Sequence, residues 1–140
     1  MSETPRLRIL HVDDVDINVM VMDQMLQALG HDPVGVDSGA AAYAAMETET
    51  FDLVFTDFHM PDVTGLDFLK NVRALRGPSR LTPVVVVTAD VMSFPGPVLR
   101  AMGFAGALAK PVMVPAMRRV LAAAMTGGEF VGDGFARAQG

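Results

Sequence analysis

Short apolar runs alternate along this chain with longer stretches whose apolar residues recur at helical spacing. Residues 7–12 (Leu-Arg-Ile-Leu-His-Val) read as a buried strand that stops at Asp13-Asp14. From residue 16 to 29 the period lengthens: Ile17, Met20, Val21, Met25, Ala28 and Leu29 predict an amphipathic helix, stopped by Gly30. The methionines there read as adaptable core packing. Residues 31–36 form a weaker strand. Pro33 cannot donate to a sheet ladder, so this strand is expected at an edge. Ser38 is a candidate N-cap for an alanine-rich helix over 39–47. Residues 51–56 predict a third strand closing at Asp57. Met60-Pro61-Asp62 opens a loop that Gly65 helps turn, and a helix follows over 66–75, with Leu66, Leu69, Val72 and Ala74 or Leu75 on its apolar side. Four consecutive valines, 84–87, predict a strand covered on both faces and therefore central in a parallel sheet. A helix cannot run through Pro95-Gly96-Pro97, although one can begin at Pro97. Residues 106–109 form a fifth short strand before Lys110-Pro111, and 115–125 a last amphipathic helix.

Five alternations of strand and helix predict right-handed βαβ units and an α/β fold with a doubly wound, five-stranded parallel sheet. In such sheets functional groups gather outside the carboxyl ends of the strands. Asp13-Asp14, Asp57, Thr88 and Lys110 each stand at such an end. Three carboxylates repel one another and are costly to desolvate unless a cation joins them. Mg²⁺ resolves this and leaves places for phosphate oxygens. Lys110 calls for an anion, and a phosphoryl group bridging metal and lysine satisfies every member. Asp57 is then the candidate nucleophile, because carboxylates form aspartyl phosphates. Thr88 is a candidate hydrogen-bond donor to a phosphate oxygen.

Composition narrows the alternatives. The 140 residues suit one domain, expected over 7–126, with an N-terminal extension at 1–6 and a flexible, glycine-rich tail at 127–140. With 51% hydrophobic and 19% charged residues, the chain is not disordered over most of its length. It has no cysteine, which excludes disulfide scaffolds, zinc–thiolate sites and thiol catalysis. A formal net charge of −5 argues against nucleic-acid binding. No signal peptide and no apolar run long enough to cross a membrane is present, so the expected setting is the cytoplasm.

Taken together, His11-Val-Asp13-Asp14, Thr56-Asp57-Phe-His-Met60-Pro61, Gly65, Val87-Thr88-Ala89 and Ala109-Lys110-Pro111 resemble the receiver domain of two-component response regulators, over about residues 7 to 125. The stretches ending at Asn18, Met92 and Val112 look most like receivers of hybrid kinases and phosphorelays. The resemblance implies a flavodoxin-like fold with strand order 2-1-3-4-5. It implies that Asp57 accepts phosphate from a phosphohistidine on a histidine kinase or histidine phosphotransfer protein. Asp13, Asp14, Asp57 and the His59 backbone carbonyl would hold Mg²⁺, while Thr88 and Lys110 would bind phosphoryl oxygens. A cis Lys110-Pro111 bond is implied too. The module would assist its own phosphorylation and dephosphorylation without being a turnover enzyme. It would act by protein–protein binding, with no output domain, as a monomer or weak dimer. Two departures stand out. The family often places Tyr or Phe three residues before the lysine, where this chain has Ala107, and Pro95-Gly96-Pro97 falls where the fourth helix normally starts.

Other readings compete. Asp14 alone reads as a helix N-cap, and Thr88 alone as an ordinary strand residue. His59, His11 in its strand and His31 in a loop are expected to carry no side-chain chemistry. Asp62, Asp67 and Asp90 read as surface groups or caps, with Asp90 also a candidate for governing access of hydrolytic water. Asp14-Val-Asp16 superficially resembles the signature of Mg²⁺-dependent phosphohydrolases that form an aspartyl phosphate, but it would leave Asp57 without a purpose. A pseudo-receiver that binds without being phosphorylated is the remaining alternative. An FMN carrier would need a Ser/Thr/Gly phosphate loop after the first strand, where this chain has aspartates.

Overall fold

The computed structural model of the protein describes residues 6–89 and 96–126. The expected tail at 127–140, the first five residues of the expected extension, and Asp90 and Pro95 lie outside the described residues. The elements are β1 (Arg8–Val12), α1 (Asp16–Ala28), β2 (Asp32–Val36), α2 (Gly39–Thr48), β3 (Leu53–Asp57), α3 (Gly65–Arg73), β4 (Val84–Thr88), α4 (Gly96–Met102), β5 (Gly106–Ala109) and α5 (Val114–Thr126), with a 3-10 turn at Pro78–Leu81. All strand pairings are parallel, and the sheet order is β2-β1-β3-β4-β5. Pro33 thus sits on an edge strand, as its missing N–H requires.

Side-chain alternation divides the core in two. Leu10, Val12, Val54, Val84 and Val86 meet α2, α3 and α4 on one face. Ile9, Leu53, Phe55, Val85 and Val87 meet α1 and α5 on the other. The four valines of β4 are all buried, which only a strand covered on both sides allows. Ser38 caps α2 by accepting the Ala41 N–H, and Asp62 accepts the N–H groups of Gly39 and Ala40. Thr64 caps α3 in the same way, accepting the Asp67 N–H. These side chains satisfy donors that a helix start leaves without intrahelical partners. The Lys110-Pro111 peptide is cis.

Three expectations are corrected. The inward face of α1 is not the one periodicity suggested: Ile17, Met20, Val21 and Ala28 are exposed, and the helix packs through Met22, Met25, Leu26 and Leu29. On the apolar side of α3, Phe68, missing from the expected set, is fully buried, and of Ala74 and Leu75 it is Leu75, just past the helix, that packs on the core. Finally, His31 lies in the loop before β2 as expected, but its side chain does have a role. It is buried, and its Nδ1 accepts the Leu7 N–H at 3.1 Å.

That bond requires a neutral ring, and burial pushes the His31 imidazole below its usual value. The unfolded chain therefore binds the proton at higher pH than the folded one. The stability His31 contributes is complete above about pH 6.5 and is lost as pH falls through the lower folded value. The melting temperature is expected to fall between about pH 7 and about pH 5. His31→Gln, whose amide oxygen still accepts the Leu7 N–H, is expected to flatten part of that slope in thermal unfolding series.

Candidate phosphoacceptor site

Asp13 and Asp57 continue the alternation that places Ile9 and Phe55 toward α1 and α5. Both strands end at the same sheet edge, so the two carboxylates face one another across it. Asp13, Asp14 and Asp57 each bring an oxygen within 4.8 Å of the others. Lys110, just past β5, enters the group, its Nζ 3.1 Å from Asp57 Oδ2 and 3.5 Å from Asp13 Oδ2. The Lys110 backbone N–H donates to the Thr88 carbonyl at 2.9 Å, fixing the lysine to the end of β4. Thr88 itself is buried.

Asp13 is held on all sides. Its Oδ1 accepts the Val15 N–H, and its Oδ2 accepts Asn18 Nδ2 at 3.1 Å. The N-cap of α1 is Val15, so Asp14 is free of the capping role that a lone aspartate there would suggest. Asp14 is exposed, whereas the Asp13 and Asp57 side chains are each only 13% exposed. Three carboxylates against one ammonium leave the edge short of positive charge. Burial pulls the Lys110 ammonium down, but the Asp57 and Asp13 carboxylates outweigh it and hold it above the usual lysine value. The donor set contains oxygen alone, which suits a hard divalent cation such as Mg²⁺ better than zinc.

The loop after β3 is shaped by close approach. The Gly65 N–H donates to the Phe58 carbonyl at 2.7 Å. A Cβ at Gly65 would lie 2.9 Å from the Asp57 carbonyl oxygen, so a side chain there would displace the acceptor's own backbone. His59 pairs with Thr64 across this loop and is exposed. Asp16 opens α1 and stands outside the carboxylate group, which removes the pairing a phosphohydrolase-type Asp14-Val-Asp16 motif would need. Phe104 is buried beside Ala107, with its ring 6.4 Å from that of Phe58.

Two participants were missed in the sequence. Asn18 anchors Asp13, a role that its likeness to hybrid-kinase receivers does not reveal. His11 is buried, and its Nε2–H donates to Asp23 Oδ1 on α1. Burial pushes the imidazole below its usual value against the pull of that hydrogen bond. A polar residue in the middle of an apolar strand was the available signal.

A family model described as the response regulator receiver domain matches residues 9–122. The chain belongs to the response regulator receiver family. Among its relatives, the sensory/regulatory protein RpfC of Xanthomonas campestris pv. campestris is 39% identical over 120 residues, covering 83% of this chain and 16% of RpfC. The aerobic respiration control sensor protein ArcB of Escherichia coli is 33% identical over 117 residues, covering 84% of this chain and 15% of ArcB. The receiver thus spans about a sixth of these relatives' length. Among solved structures, the receiver domain of sensor histidine kinase PA1611 of Pseudomonas aeruginosa superposes with a TM-score of 0.75 at 28% identity, covering 89% of this chain and all of that one. That structure holds a magnesium ion in its active-site cleft. The receiver is a signalling module, and no helix among its described residues is long and apolar enough to cross a membrane.

Proposed function

We propose that this receiver takes a phosphoryl group from a phosphohistidine onto Asp57 and signals or relays through protein–protein binding. The observation that carries the reading is the Asp57 carboxylate held between the Lys110 ammonium and the Asp13 and Asp14 carboxylates at one sheet edge. An Asp57 oxygen attacks phosphorus, the P–N bond to the donor imidazole breaks, and an acyl phosphate forms while the donor histidine takes up a proton. The Lys110 Nζ passes from Asp57 to a phosphoryl oxygen, and the Thr88 hydroxyl donates to another. Asp13, Asp14, Asp57 and the His59 carbonyl would hold Mg²⁺, which when bound offsets the charge of the carboxylates and the incoming phosphoryl group. The magnesium ion in the Pseudomonas neighbour supports this assignment.

The donor is a histidine kinase domain or a histidine phosphotransfer protein, a reading supported by relatives that are sensor proteins. Exposed Val15, Ile17 and Val21 on one side of the site and Met113 and Val114 on the other offer it an apolar rim. The test is intact mass after incubation with a small acyl-phosphate donor. One added phosphoryl group is expected with Mg²⁺, and none after chelation. Addition that persists without any divalent ion would overturn the metal assignment. No addition from either the small donor or a phosphorylated histidine domain would favour a silent binding module.

A further inference from the structure

We propose that His11, Asp23 and Gly35 form a brace that seats α1 on the sheet, making His11 and Asp23 positioning residues for the Asp13 carboxylate. Two polar ties join β1 to α1: His11 to Asp23 at 2.5 Å and Asp13 to Asn18 at 3.1 Å. Their spacings match. Asp13 is two residue steps beyond His11 along the extended chain, a rise of about 6.6 Å. Asp23 is five residue steps beyond Asn18 along the helix, a rise of about 7.5 Å. Because α1 runs back along β1, the later helix residue meets the earlier strand residue, and both ties close with the helix in a single axial position. A slip by one residue would break both.

The ring also has room made for it. His11 stands opposite Gly35 in the β1–β2 register. A Cβ at Gly35 would lie 2.7 Å from His11 Cε1 and 2.5 Å from Val19 Cγ1. No side chain fits at position 35 while the imidazole lies between sheet and helix. The His11 ring is 3% exposed, whereas the Asp23 side chain is 37% exposed. The strand contributes the buried donor, and the helix contributes an acceptor at the surface. Loss of Asp23 leaves that donor without its protein acceptor and removes one of the two polar ties that hold α1 to β1, so the helix is freer to shift. Movement of α1 carries Asn18 and the Val15 N–H away from Asp13, so the register of the brace is transmitted to the first carboxylate of the site.

The metal-affinity part of the test rests on the assignment of Asp13 to Mg²⁺; the hydrogen-bond part does not. In metal-free protein, Asp23→Ala is expected to speed solvent exchange of the Val15 amide and the Asn18 side-chain protons about tenfold by NMR, and to weaken the Mg²⁺ dissociation constant about fivefold. Asp23→Asn keeps a side-chain oxygen for the His11 donor and is expected to stay within about twofold of wild type in both. Gly35→Ala crowds both the ring and Val19 of α1 without removing a polar partner, and is expected to reproduce the Asp23→Ala pattern. Unchanged Val15 and Asn18 exchange in Asp23→Ala or in Gly35→Ala, whatever happens to the melting temperature, would overturn the brace. If wild type binds no Mg²⁺, the phosphoacceptor reading fails, and the exchange rates still decide the brace.

Discussion

Asp57→Asn is expected to abolish phosphoryl uptake outright, by at least about a hundredfold and below detection in intact mass, with the fold retained. The amide is nearly isosteric with the carboxylate, so the packing of β3 against β1 and β4 has no reason to change. What is lost is the anionic nucleophile. Electrostatics predict little change in stability, because two effects oppose each other. The Asp57–Lys110 contact at 3.1 Å disappears, but so does the repulsion of Asp57 with Asp13 and Asp14. Lys110 keeps its 3.5 Å approach to Asp13. For a partly exposed pair these terms are each about 1 kcal/mol. Thermal unfolding of the two proteins side by side should therefore give melting temperatures within a few degrees. A large drop in melting temperature would show Asp57 to be a fold-bearing group, and phosphate still appearing on Asp57→Asn would move the nucleophile to Asp13 or Asp14.

How far the sequence reached depends on what kind of signal each residue sends. The valines of β4 left no choice but a central strand, and Pro33 no choice but an edge. Asp13, Asp57 and Lys110 were legible because strand ends in a parallel sheet share one edge, so a one-dimensional pattern already implied a three-dimensional meeting. The inward face of α1 was not legible. Ile17, Met20 and Val21 have the same apolar character and spacing as the buried set, and only the docking of Met22, Met25 and Leu26 on β1 and β3 decides between them. Of the exposed set, Val21 lines the same cavity as Asp13 and Lys110, where the proposed phosphoryl donor would dock. His11 and His31 were misjudged for a related reason. A histidine's worth depends on the one atom facing it, Asp23 Oδ1 in one case and the Leu7 N–H in the other, and neither partner is near in sequence.

Lys110→Met is expected to move the two functions of the site in opposite directions. Methionine keeps a flexible apolar side chain of nearly the same length, while the charge is removed. Phosphoryl uptake should fall about a hundredfold, the usual cost of deleting one preorganised group that meets charge developing in the transition state. Mg²⁺ affinity should instead rise. With the ion absent, the Lys110 ammonium is the cation that Asp57 and Asp13 share, and an incoming metal must compete with it. At a half-buried edge, losing that competitor is worth about 1 kcal/mol, or about fivefold in the dissociation constant. The gain should shrink as ionic strength rises, because the competing charge is partly screened from the start. Calorimetric titration with Mg²⁺, paired with uptake rates from a small acyl-phosphate donor, reads both quantities on the same preparation. A variant that loses metal affinity together with uptake would show that Lys110 holds the loop after β5 in place. A variant that gains one while losing the other would show that the lysine is reserved for the phosphoryl group and bridges the carboxylates until it arrives.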